Sequence, residues 1–209
     1  MDVETAYDKL LKEHGRQGWW PLLTRRDEDG YDDSGYHPGI YDYTDTDQHR
    51  FEVYAGSILT QNTRWENANK ALKRLLREDL LSPTSILDED QEQIQQVIKP
   101  ARYYNQKTTY LKSLAYCFQT TTHPTRNKLL DTKGVGPETA DTILLYAQDE
   151  PRIIADEYTR RWLNQTNVSL SSYDNIKKFL DERFPRNTRK RQELHALIIA
   201  HQKDETDSA

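Results

Sequence analysis

The chain has 209 residues, of which 35% are hydrophobic, with 13 Tyr, 4 Trp and a formal net charge of −5. That length supports one large domain or two small lobes with a real core. No apolar run approaches the ~20 residues that span a bilayer, and the N-terminus lacks the basic-then-apolar pattern of a signal peptide, so a soluble cytoplasmic protein is expected. A single cysteine, Cys117, excludes an internal disulfide and a four-cysteine iron–sulfur cluster.

Net acidity argues against a nucleic-acid partner until its distribution is read. Residues 27–47 hold eight acidic residues and no Lys or Arg, so the rest of the chain stands at +3. Lys99 to Lys112 contains four basic residues and no acid, which permits a local positive face.

Thr5 to Glu13 reads as a first helix with Ala6, Leu10 and Leu11 inward, ending near Gly15. Gly18-Trp19-Trp20-Pro21 follows. Two adjacent tryptophans cannot share one side of a regular element, so at least one is expected at a cleft or lobe junction, against the commoner role of core packing. Residues 24–50 are acidic and rich in Gly and Tyr without a clear period, which reads as a long irregular surface segment.

From Phe51 the pattern turns helical, with Phe51, Tyr54, Ala55 and Ile58 on one face as far as Leu59. Thr60-Gln61-Asn62-Thr63 breaks it, and a second helix runs from Arg64 with Trp65, Ala68, Leu72 and Leu75 inward. Ser82-Pro83-Thr84 reads as a break, and a helix over Glu89 to Ile98 stops before Pro100. Tyr103-Tyr104-Asn105-Gln106-Lys107 leads into a helix with Leu111, Leu114, Ala115 and Phe118 on one face.

Lys133-Gly134-Val135-Gly136 then places two glycines around one β-branched residue, and Pro137 opens a run with Ala140, Ile143, Leu144 and Ala147 at helical spacing. Glycine admits φ > 0, so successive backbone N–H groups can converge while the following helix aims its positive end at the same point. A phosphate is the natural occupant, although Gly-x-Gly before a helix is often a plain connection. Twenty residues after Gly136, the strand-like stretch Ile153-Ile154-Ala155 delivers Asp156, which reads as a helix N-cap. Two further helices are expected over residues 173–182 and 188–201, then a frayed acidic tail from Asp204 to Ala209. His195, among apolar neighbours, reads as a satisfied core histidine rather than a ligand. No strand is expected beyond 153–155.

Trp-Trp-Pro, Leu-Thr-Gln-Asn-Thr, Lys-Gly-Val-Gly-Pro-Glu-Thr-Ala-Asp and the Asp156 segment together carry a resemblance. Over roughly residues 19–201 the chain resembles the helix-hairpin-helix DNA glycosylases of the endonuclease III superfamily. The resemblance implies an all-α, two-lobed fold with the site in the inter-lobe cleft. Residues 49–160 would form a central lobe with the hairpin, and residues 1–48 with 161–209 a second lobe. It implies Asp156 as the catalytic carboxylate, and Gln61 and Tyr103 as wedges entering the duplex. Lys107, Lys133, Gly134, Val135, Gly136 and Thr139 would grip the DNA backbone.

In bifunctional members a lysine two residues past the second hairpin glycine forms a Schiff base with the sugar. Here that position is Glu138, and a carboxylate forms no imine, so base removal without strand cleavage is expected. Glu138 is also a good first-turn residue for the helix dipole. Glu138 with Ala140-Asp141, the paired tryptophans and the missing cluster cysteines resemble the 3-methyladenine DNA glycosylase branch. There Trp19, Trp20 and Phe51 would surround the extruded base with Glu138 nearby. A 3-methylated adenine is cationic, and aromatic faces attract cations by ~0.5–2 kcal/mol.

The expected partner is double-stranded DNA carrying a damaged base, met in the nucleoid by a monomer that needs no cofactor or metal. A monovalent cation at the hairpin stays open. Two alternatives also stay open: a monofunctional glycosylase for uracil or mismatched thymine, and a helix-hairpin-helix binding module in which Asp156 is only a cap.

Overall fold

A computed structural model describes residues 2–207, and the described residues contain helices and irregular segments but no β-strand. The helices are α1 (Val3–His14), α2 (Asp47–Leu59), α3 (Trp65–Arg77), α4 (Pro83–Asp88), α5 (Gln91–Ile98), α6 (Tyr104–Thr120), α7 (Arg126–Leu130), α8 (Pro137–Tyr146), α9 (Glu157–Gln165), α10 (Tyr173–Asp181) and α11 (Thr188–Asp207). No described helix is long and apolar enough to cross a membrane.

Side-chain caps set several helix starts. Asp2, Thr46, Ser82, Thr125, Asp156 and Ser172 each accept from a backbone N–H of the first turn, which satisfies donors that a helix start leaves orphaned. Three helices depart from the sequence reading for this reason. Ser82-Pro83 is a cap and first helical residue rather than a break, and Thr125 starts the five-residue α7. Helix α2 likewise begins at Asp47, because Thr46 caps the polar turn ahead of Phe51. The acidic end expected to fray is helical as far as Asp207, while residues 208–209 lie outside the described part.

Two hydrophobic cores organise the chain. The first gathers α2 to α8 together with Trp20, Leu22, Leu23 and Tyr43. The second joins α1, α9, α10 and α11. The N-terminal segment therefore divides: α1 belongs with the C-terminal helices, and residues 20–43 lie on the first core. Fully buried Glu52 on α2 anchors that segment by accepting Leu23 N at 2.6 Å and Thr24 N at 3.0 Å. His37, also fully buried, bonds the Trp20 carbonyl at 2.8 Å. The segment read as an irregular surface stretch is irregular but pinned.

The strand expected at Ile153-Ile154-Ala155 is a correction, since these residues are extended without a strand partner. Their period of two has another cause. Ile153 and Ala155 enter the second core, whereas Ile154 enters the first. The stretch is threaded between the cores and ends at their junction with Asp156.

Candidate active site

At that junction lies a cleft of about 690 Å³. Asp156, with its residue 9% exposed, lines it. One carboxylate oxygen accepts the Thr159 N–H at 2.8 Å, which makes Asp156 the N-cap of α9. The other faces His195 Nε2 at 3.4 Å, and His195 Nδ1 meets the Tyr146 hydroxyl at 2.7 Å. Burial alone would raise the Asp156 pKa. The His195 hydrogen bond and charge, with the Thr159 N–H, outweigh it and hold the carboxyl below its ordinary value. Asp156 is therefore ionised at neutral pH.

His195 is the satisfied histidine that the sequence favoured over a ligand, and it has a second property. It is buried and hydrogen-bonded, yet it lines the cleft beside the carboxylate. Glu138, in the first turn of α8, also lines the cleft. Its residue surface is open to solvent, while desolvation acts on its carboxyl. That desolvation, then the Asp156 charge, raises its pKa, with His195 opposing.

Three tryptophans also line the cleft. Trp65 lies 4.7 Å from Trp19 and 5.6 Å from Trp20 between ring centroids, and Trp19 and Trp20 are 5.2 Å apart. Both adjacent tryptophans reach the cleft because their segment is irregular, so no helical or strand period separates them. Trp20 is 3% exposed and seats over α2, where a Cβ on Gly56 would come within 2.7 Å of its ring. Trp19 is only half-buried. The indole N–H groups of both are buried without a hydrogen-bond partner, a cost that calls for a reason.

Phe51 is a correction. It sits on the α2 face turned to α6, 1% exposed and edge-on to Phe118 at 5.5 Å, away from the cleft. Trp65, read as an inward residue of α3, takes the aromatic place instead. Tyr158 and Lys203 also line the cleft and were missed. Each comes from a helix whose periodicity says nothing about which lobe it faces.

The hairpin forms as read, with Val135 N donating to Thr132 O at 3.1 Å. Its glycines differ in kind. Gly134 has φ +90°, and a Cβ there would fall 2.1 Å from the Tyr110 ring, so the fold itself demands glycine. Gly136 has φ −93° and nothing within 4 Å of an added Cβ. Nothing inside the chain demands glycine there, and the open space before the α8 N-terminus suits a close outside approach such as a phosphate. Lys133 is exposed beside it, and Val135 is buried beneath.

Gln61 spans from the α2–α3 turn to this hairpin, donating to Gly134 O at 2.9 Å and Thr139 Oγ1 at 3.0 Å. Thr139 is consequently 7% exposed with its hydroxyl engaged by Gln61, a correction to its reading as a backbone contact. Tyr103, by contrast, is 58% exposed and left-handed at φ 44°.

Lys107 is corrected outright. Its ammonium is buried, donating to Leu59 O at 2.7 Å, Thr63 Oγ1 at 2.8 Å and Ala101 O at 2.7 Å. Burial, then the Arg102 charge, lowers its pKa to about 8. It fastens together the turns that carry Gln61 and Tyr103 and does not face solvent.

Residues 55–186 match the family model of the HhH-GPD superfamily base excision DNA repair protein. A relative from Methanocaldococcus jannaschii, named as a DNA repair glycosylase, is 34% identical over 95% of this chain and 86% of its own length. Among solved structures, the H. pylori 3-methyladenine DNA glycosylase bound to 1,N6-ethenoadenine superposes with a TM-score of 0.74 at 22% identity, covering 97% of this chain and 96% of that one. A trapped endonuclease III–DNA covalent intermediate gives 0.69 at 18% identity, covering 94% and 83%.

Proposed function

We propose a substrate and a reaction on one premise: the chain belongs to the HhH-GPD superfamily of base excision DNA repair proteins and is a DNA glycosylase. The substrate is a cationic alkylated purine such as 3-methyladenine in double-stranded DNA, and the reaction is hydrolysis of its N-glycosidic bond without strand cleavage. The observation that carries this reading is that Trp19, Trp20 and Trp65 line the same cleft as an ionised Asp156.

Electron-rich faces attract a positively charged base and give a neutral one no such advantage. A cationic base also leaves without protonation, so one carboxylate suffices where glycosidic cleavage ordinarily uses two. Asp156 stabilises the developing positive charge on the sugar and orients the attacking water. The base reaches the cleft by leaving the stack, which costs a few kcal/mol, and in this reading Tyr103 and Gln61 fill the vacated space. For Gln61 this requires releasing Gly134 O and Thr139. The missing imine follows from Glu138 at the position of the family's lysine.

Release of bases from alkylated, uracil-containing and thymine-mismatched duplexes tests the substrate. Turnover confined to the latter two overturns the alkylpurine reading. Borohydride trapping on abasic DNA tests the missing lyase step. No covalent adduct is expected, and an adduct lost in Lys203→Gln would make the cleft lysine a nucleophile and overturn the monofunctional reading.

A further inference from the structure

The side of α11 turned away from the cleft carries a group of side chains that base removal does not use. His14 ends α1, and its Nε2 lies 3.2 Å from Nδ1 of His201 on α11. Glu13 Oε1 is 4.0 Å from the same Nε2, and Asp204 Oδ2 is 3.2 Å from His14 Nδ1. The ligand-capable atoms of Glu13, His14 and His201 all lie within 4.8 Å of one another. The His14 side chain is 9% exposed, whereas those of Glu13 and Asp204 are 49% and 71% exposed, so the group is sheltered by protein but open to an ion from solvent. His195, Ile199 and Lys203 line the cleft. His201 is two positions from Ile199 and from Lys203, a rotation of about 200° that carries it to the far side of the helix.

We propose that Glu13, His14 and His201 form a site for a zinc-type divalent transition-metal ion that ties the first helix to the last. Zn–N bonds of about 2.0–2.1 Å at tetrahedral angles hold two nitrogens roughly 3.3 Å apart, close to the 3.2 Å separation found here. With Asp204 Oδ2 3.2 Å from His14 Nδ1, the tautomer protonated at Nδ1 offers its Nε2 lone pair to the ion, which would replace the present hydrogen bond between His14 Nε2 and His201 Nδ1. This is the carboxylate–histidine–metal arrangement that orients ligating imidazoles. The half-exposed Glu13 side chain closes the remaining distance by rotating, and water completes four ligands. The site also stands at the C-terminal end of α1, where the helix dipole favours positive charge. Since His14 and His201 are 187 positions apart, the ion would close nearly the whole chain into a loop and brace the second core.

The full chain, stripped of metal by a chelator, is titrated with Zn²⁺ by calorimetry and with Co²⁺ by absorption, and its thermal unfolding is followed with and without Zn²⁺. One ion per chain and a saturable rise in Tm are expected. His14→Ala and His201→Ala should each weaken binding at least about 100-fold, and Asp204→Asn about 10- to 100-fold. His123→Ala, at an exposed histidine elsewhere, should change nothing. If a histidine variant fails to fold by circular dichroism, Glu13→Gln and Asp204→Asn, both at exposed side chains, carry the test. Absence of stoichiometric binding, or equal binding by the folded site variants, overturns the proposal. Base release by the wild type should be equal with and without metal, and loss on chelation would overturn the placement of the ion away from the cleft.

Discussion

Asp156 caps a helix with one carboxylate oxygen and faces His195 with the other, in the lining of the cleft. Asp156→Asn keeps the shape and loses the charge. Base release should fall to background, while affinity for abasic DNA in a binding titration changes less than threefold; undiminished release would remove Asp156 from the chemistry. The pH dependence follows from the sign of its shift. A carboxyl held below about 4 stays ionised through neutral pH, so activity is present above that pKa and lost as pH falls through it. In His195→Leu, only Thr159 is left to oppose burial and the Asp156 pKa rises. The acid limb of the kcat/KM profile should move to higher pH, with His195→Gln, which keeps a donor, in between. An unmoved limb would show that His195 does not hold the charge. The tryptophans divide by burial. Trp20→Leu confounds packing with recognition, whereas half-buried Trp19 gives a clean test. Trp19→Leu should lower kcat/KM on 3-methyladenine about tenfold, roughly 1.4 kcal/mol of cation–π attraction, at unchanged Tm.

At the scale of elements, the hairpin and the turns that carry Gln61 and Tyr103 act as one unit. Gln61 bonds the hairpin, and the Lys107 ammonium fastens the Gln61 turn to the Tyr103 turn. This unit exposes Gly136 at the α8 N-terminus with free space before it. Gly136→Val fits the fold but occupies the space where a phosphate would approach. Affinity should fall on every duplex alike, because phosphate contacts carry no base information. A loss confined to one sequence in a set of fluorescence-anisotropy titrations would place base readout at the hairpin. The glycine pattern was legible from sequence. That Lys107 faces inward was not, because its three acceptors are carbonyl and hydroxyl groups brought in from residues 59, 63 and 101.

For the whole molecule, the cleft depends on how two separate cores meet. Asp141 on α8 is fully buried there. It accepts both Arg126 nitrogens at 3.0 and 3.1 Å and the Tyr173 hydroxyl from α10 at 3.0 Å. Asp141→Ala would leave these donors unmatched at the seam, at a cost of about 2 kcal/mol or more. Amide exchange in α9 and α10 should speed up more than in α2 and α6; uniform exchange would mean that the cores are joined elsewhere.

The chain's own pattern determined the helical class, the hairpin and Asp156 as a helix cap, because periodicity, glycine placement and capping act over a few neighbouring residues. The residues that complete the site are Trp65 on α3, Tyr146 on α8 and His195 on α11. Only the tertiary structure brought them to Asp156 and sent Phe51 into the α2–α6 interface. A local pattern shows which face of a helix is buried. Which of two cores it is buried in depends on contacts between residues far apart in the chain.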